Sequence, residues 1–491
     1  MMKLNALIPL TLICGYTAQA MAAETPAIPA ISNETAIIFQ AKSGETVDAF
    51  EGQFTVPENR HAIDSRSLTL KYVRFPATGD KQGTPTIYLA GGPGGSGITT
   101  AKYQRFPLFM AMREFGDVIA FDQRGTGASN DLPLCKTSQT ISTTSATSDP
   151  AYVETQRAAL RECLDFLKSK GVDKHGYNTS ESVADLNALR QHLGVAKVNL
   201  WGISYGSHLS LAALKQMDQH LNRVVITAVE GLDQTVKQPA RTDLYFDRLQ
   251  AAINTVPEAR AKFPDIKGLI SRVLAKLEAE PLMVSVPTRG GESVPYLLQK
   301  RIMQQFTSAL VADPARAALI LNVYAALDAG VTAPLGALLQ RAVDPTDATI
   351  SYRPMSALMD IASGSGAARR AMITEQGKTA LLGLHVNASM TLETVDPSLD
   401  LGTAFRTPPV SDVPVLVLHG TLDGRTYPES GQEATAGLTG RQTVTVTYGG
   451  HNLFMMSPRV TETIQDFMRG TSVDGRTIMV DLPDFVTLPG F

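Results

Sequence analysis

The chain has 491 residues, 44% of them hydrophobic and 19% charged, with 44 Lys and Arg against 47 Asp and Glu. This is the composition of an ordinary globular protein with enough apolar material for a sizeable core. A net charge of −3 offers no basic footprint and no acidic tail, so no nucleic-acid partner is expected. The length fits about three domains, or one large α/β domain carrying an insertion.

At the N-terminus, Lys3 precedes an apolar run over 7–14, and Ala18-Gln19-Ala20 and Ala20-Met21-Ala22 then offer small-residue cleavage sites. The pattern predicts a signal peptide over 1–22 and export to the periplasm or the extracellular space. The apolar run is too short to span a bilayer and no other segment is long enough, so no stable membrane insertion is expected. Bulky Ile13 before Cys14 argues against lipid attachment there. Once the signal is removed, Cys135 and Cys163 remain, either as one disulfide closing a short loop or as two buried thiols. The cysteines and histidines show no metal-ligand spacing, so no metal is predicted.

Residues 23–45 are rich in Ala, Pro, Ser and Thr and read as a flexible lead-in. From 46 to 233 the pattern is that of an α/β core. Val56-Pro57-Glu58-Asn59-Arg60 reads as a turn and 68–74 as a strand. Two short apolar runs, 86–90 and 118–121, end abruptly in Gly91-Gly92-Pro93-Gly94-Gly95-Ser96-Gly97 and Asp122-Gln123-Arg124-Gly125. Such runs, with helix-period segments between them, predict buried parallel strands. Residues 183–193 read as a helix, with Ser182 and Asp185 as a capping box and Gly194 as the stop. An apolar run over 198–201 then leads into Gly202-Ile203-Ser204-Tyr205-Gly206, followed by a helical pattern over 207–217 and a strand over 224–229.

The alternation stops at 234. Residues 234–407 are mostly Ala- and Leu-rich helical pattern, with a hairpin expected of 282–286 and 293–298 around Arg289-Gly290-Gly291. The α/β pattern resumes over 408–491, with strands at 413–418 and 443–448 and a last helix at 459–469. A helical block inserted in an open sheet predicts a lid or cap domain over 234–407.

Strand, sharp turn and helix around Gly-x-Ser-x-Gly define a nucleophile elbow, which presents Ser204 above the sheet. Serine is a weak nucleophile at neutral pH and needs a base, itself oriented by a third group. Past the insertion, each strand ends in one suitable residue: Asp423 in His419-Gly420-Thr421-Leu422-Asp423-Gly424, and His451 in Tyr448-Gly449-Gly450-His451. These follow Ser204 in the order acid, then base. His419 is expected to be a packed, hydrogen-bonded histidine, and His208 to sit on the elbow helix facing away from substrate. The oxyanion needs two donors: the N–H of Tyr205, and one from the glycine loop, Gly92 or alternatively Gly91.

Together the glycine loop, Asp122-Gln123-Arg124-Gly125, the elbow and the Asp423 and His451 loops resemble the proline iminopeptidase and tripeptidyl aminopeptidase group of α/β-hydrolases, over about residues 50–470. The segment Val56-Pro57-Glu58-Asn59-Arg60 and the pair Cys135 and Cys163 are similar to its secreted branch. The resemblance implies a mostly parallel sheet flanked by helices, and a cofactor-free serine exopeptidase trimming peptide N-termini. It also implies Ser204, Asp423 and His451 as triad and Gly92 and Tyr205 as oxyanion hole. Proline iminopeptidases usually carry His before Gly-Gly-Pro-Gly; here Ala90 stands there, which weakens assignment to the proline-specific members. An aminopeptidase needs carboxylates for the substrate's α-ammonium. Glu230 is the first candidate and Asp233 the second, with Asp243 and Asp247 in the insertion as alternatives. A carboxylesterase acting on small esters would use the same triad.

Overall fold

The computed structural model describes residues 31–487 except 32, 80–82, 130–131, 289, 343 and 388. The predicted signal peptide and residues 23–30 of the lead-in lie outside these. Fourteen strands occur among the described residues: β1 (Glu34–Gln40), β2 (Thr46–Pro57), β3 (Ser67–Phe75), β4 (Thr86–Leu89), β5 (Val118–Phe121), β6 (Cys135–Thr140), β7 (Val198–Ile203), β8 (Leu221–Thr227), β9 (Leu282–Pro287), β10 (Ser293–Leu298), β11 (Thr349–Tyr352), β12 (Val415–Gly420), β13 (Arg441–Thr447) and β14 (Thr477–Met479). Ten of them form one sheet in the order β1-β2-β3-β5-β4-β7-β8-β12-β13-β14. The pairings among β1, β2, β3 and β5 are antiparallel, and all those from β5 to β14 are parallel. Every residue of β4, β5, β7 and β12 is buried, because helices cover both faces of the parallel part. This is why their sequences are continuous apolar runs instead of alternating ones.

Two local expectations are corrected. Within the lead-in, Glu34–Gln40 is not irregular but is the edge strand β1. Its anchor is electrostatic: the buried Glu34 carboxylate pairs with Arg74 at 2.5 Å and accepts the Tyr72 hydroxyl at 3.0 Å. The helix before the elbow spans Thr179–His192, and its cap is Asn178, which accepts from Glu181 N at 3.0 Å. Ser182 and Asp185 lie inside it, and Asp185 instead binds the buried guanidinium of Arg124 at 2.6 Å. Gly194, at φ +68°, stops the helix as expected.

Among its described residues, the segment 234–407 holds eight helices of six or more residues, from Pro239–Ile253 to Ala367–Gly377, and the antiparallel hairpin β9–β10. Arg289, in the expected hairpin turn, lies outside the described residues. Tyr245, Leu249, Ile270, Val273, Leu321 and Tyr324 belong to a core of its own, which also takes in Leu422 and Tyr427 flanking Asp423. A second attachment is β11, which pairs with β6. Cys135 on β6 is disulfide-bonded to Cys163 on the helix Asp149–Ser169. The inserted block is thus tied both to the loop after β12 and to a bridged part of the core.

Candidate active site

Ser204 lies between β7 and the helix Tyr205–Gln216, at φ 56° and ψ −125°. A non-glycine residue held there costs about 1–3 kcal/mol, a strain typical of reactive positions. The flanking glycines are steric necessities. A Cβ on Gly206 would lie 2.1 Å from Leu89 O, and one on Gly202 would lie 2.4 Å from Gly206 O. The turn is held by Ser204 N–H donating to Thr227 O at 3.2 Å and by the Ser207 hydroxyl donating to Ser204 O at 2.5 Å.

The glycine loop after β4 runs against the serine. A Cβ on Gly91 would sit 3.0 Å from Ser204 Cβ and 3.6 Å from its Oγ. Gly92 has φ +129°, and the Gly92–Pro93 peptide is cis. Among the described residues neither the Gly92 N–H nor the Tyr205 N–H has a protein acceptor. Tyr205 opens the helix, so its N–H also carries the positive end of the helix dipole. The loop is clamped from above by the Ser356 hydroxyl, which donates to Pro93 O at 2.5 Å.

Asp423 and His451 follow β12 and β13, so both stand at the same carboxyl edge of the sheet as Ser204. Asp423 Oδ2 lies 3.0 Å from His451 Nδ1 and accepts the Thr426 hydroxyl at 2.6 Å. Its Oδ1 accepts the N–H groups of Arg425 and Thr426 at 2.8 and 2.9 Å. Burial would raise the Asp423 carboxyl, but His451 and Thr426 outweigh it and hold the group below the usual carboxylate value. An ionised carboxylate only accepts, so the proton of the shared contact sits on His451 Nδ1 and leaves Nε2 an acceptor. The His451 N–H donates to Ala312 O at 2.8 Å, so the inserted block also positions His451.

His419 and His208 are both buried. His419 is buried against Gly431, and burial pushes its ring down to about 4. The expectation of a hydrogen bond to it is not met among the described residues. His208 is buried on the elbow helix, with Nδ1 3.0 Å from Gly231 O and Nε2 3.1 Å from Ser363 Oγ.

A cavity of about 400 Å³ reaches the glycine loop at Gly92 and the loop after Asp423 at Gly424 and Arg425, and is also lined by Glu230, Lys237, Asp360 and Tyr427. Glu230 reaches it, with its carboxylate 2.5 Å from Lys237 Nζ. Burial would raise that carboxyl, but Lys237 and His208 keep it below its ordinary value. Asp233 does not line the cavity; it is engaged by Arg369 at 2.8 Å. Asp243 accepts the Leu381 N–H and Asp247 pairs with Lys267, so neither alternative acid reaches it.

The acid that sequence reasoning missed is Asp360, on the helix Pro354–Ser363 one turn beyond Ser356. Its carboxylate has no hydrogen-bond partner among the described residues. Burial and the neighbouring Glu230 push it up to about 8. One signal was available: a lone acid in the apolar run Leu358-Met359-Asp360-Ile361-Ala362. No group of His, Cys, Asp and Glu among the described residues is arranged to hold a metal, and no helix there is long and apolar enough to cross a membrane.

The fold and the elbow define an α/β-hydrolase, and residues 87–275 match the family model described as alpha/beta hydrolase fold. Residues 400–478 match the model described as TAP-like protein. The chain is 30% identical to the serine protease Hip1 of Mycobacterium tuberculosis, over 36% of this chain and 35% of that protein. It is 29% identical to the tripeptidyl aminopeptidase of Streptomyces coelicolor, over 36% of this chain and 34% of that protein. A protein from Leptolyngbya boryana described as a probable proline iminopeptidase is 29% identical over 29% of this chain and 30% of its own length. The matches thus span about a third of the relatives' length.

Proposed function

We propose that the chain is an exported serine aminopeptidase, hydrolysing peptides near a free N-terminus through an acyl-enzyme. The peptidase class is supported by the named relatives, and export by the N-terminal charge, apolar run and small-residue sites. In this reading Ser204 Oγ attacks the scissile carbonyl while His451 Nε2 takes its proton. Asp423 holds the Nδ1–H tautomer and stabilises the imidazolium that forms. The unpaired N–H groups of Gly92 and Tyr205 receive the oxyanion. His451 then protonates the leaving amine, and water releases the acyl group by the reverse sequence. The inserted block, which supplies Asp360 and supports both His451 and the glycine loop, acts as the lid.

The observation that carries the aminopeptidase reading is the pair of carboxylates, Glu230 and Asp360, in a cavity that Gly92 also lines. A substrate ammonium entering there finds an acid with no partner of its own, and would draw it into its ionised form. The test is a matched panel of free-amine peptides, their N-acetyl counterparts and small esters. Acetylation is expected to abolish cleavage. Equal cleavage of blocked and free peptides, or turnover of esters alone, would replace this reading with the carboxylesterase one.

A further inference from the structure

A second cavity, of about 520 Å³, shares wall residues with the first. Tyr152, Gln305 and Asp360 are among the residues that wall both, so the unpartnered carboxylate stands at their junction. Beyond Asp360 the second cavity is lined by Val153, Tyr352, Ala357, Ile361 and Leu392, and it lies within the pocket size usual for small ligands. Its polar groups are largely spoken for. The Tyr352 hydroxyl donates to Gln156 Oε1 at 2.5 Å, leaving the ring as the exposed surface. Asp149 is neutralised by Arg301 at 2.7 Å, with His385 at 3.3 Å. Arg353 is solvent-exposed at the rim.

These surroundings set a direction for substrate. The scissile carbonyl belongs at Gly92 and the ammonium at Asp360 and Glu230, so a group attached beside the ammonium is carried past Asp360 into the apolar space. We propose that this second cavity receives the side chain of the substrate's N-terminal residue and selects a large aliphatic or aromatic one. The proposal rests on the aminopeptidase reading. Desolvated apolar walls with satisfied polar groups favour such a side chain and penalise a charged one.

The test uses free-amine peptides X-Ala-Ala-Ala with X as Gly, Ala, Leu, Phe, Asp or Lys, and follows all cleavage products by mass. Leu and Phe are expected to exceed Gly in kcat/KM by about 10–100-fold, the discrimination an apolar pocket confers on missing methylenes. Ala357→Trp and Val153→Trp fill the cavity from two different helices, and each is expected to reduce the Leu-to-Gly ratio at least about tenfold. Thermal melting identifies a variant that fails to fold, in which case the wild-type profile decides. A flat wild-type profile, a preference for Asp or Lys, or an unchanged ratio in both folded variants overturns the pocket assignment while the aminopeptidase reading stands. If no free-amine peptide is cleaved but an ester is, the aminopeptidase reading fails and the assignment falls with it.

Discussion

The carboxyl edge of the sheet and the inserted block supply groups to one cavity by different physical routes. Ser204 directly follows β7, and Asp423 and His451 stand on the short loops after β12 and β13, so the sheet hydrogen bonds that set these strands also set their positions. Asp360 and Ser356 lie on a helix from the segment 234–407, and nothing local to them points at the sheet. Their placement follows from packing the inserted core onto Leu422 and Tyr427 and from the β6–β11 pairing. The sheet edge carries groups suited to chemistry, and the inserted block carries groups suited to choosing a substrate. If this division is correct, damage to the edge should remove turnover, and damage to the block should change preference.

The largest effect should come from the edge. Ser204→Ala is expected to lower kcat by about 10⁴–10⁶-fold with the peptide still bound, measured by turnover and by calorimetry. Retained turnover would remove the assigned nucleophile. The next effect belongs to the block. Asp360→Asn should reduce kcat/KM for free-amine peptides by about 10–100-fold relative to the unsubstituted protein, the value of one charge-assisted contact.

That same acid gives the site a pH dependence. With its carboxyl raised to about 8, Asp360 is largely protonated at lower pH and attracts an ammonium only once ionised. Peptide affinity for the Ser204→Ala protein should therefore tighten as pH rises toward about 8, by no more than about tenfold per unit. Above that the substrate's own amine, with a pKa of about 7.7–8.0, deprotonates and affinity falls again. Adding Asp360→Asn should flatten the lower limb; a limb that persists would mean another group controls it.

The smallest expected effect returns to the edge. Thr426→Val removes a hydroxyl that donates to Asp423 Oδ2 at 2.6 Å. It should lower kcat about tenfold at nearly constant KM, and Thr426→Ser should restore most of the loss. A loss carried in KM would place Thr426 with the binding groups instead.

Legibility of the chain followed the same division. The glycines at 202 and 206 could be read as demands of a turn, because a Cβ at either position would strike backbone. Gly194 as a helix stop and the β9–β10 hairpin were readable for similarly local reasons. The edge strand β1 was not, since its place depends on Glu34 meeting Arg74, 40 residues away in sequence. Nor was the helix cap at Asn178, because Asp185, which looked like part of a capping box, is committed to Arg124. Asp233 failed as an amine-binding candidate for a comparable reason: Arg369, from the inserted block, occupies it.

By itself, then, the sequence determined the class of fold and the strand–turn–helix around Ser204, and it proposed Asp423 and His451 as its partners. Strand periodicity, glycine turns and residue chemistry act within a few neighbours, and those signals are written contiguously. Only the tertiary structure decided which carboxylates face the cavity and where the apolar space beyond it lies. Those outcomes depend on burial, which raises one acid and leaves it unpartnered, and on long-range pairing, which neutralises the others.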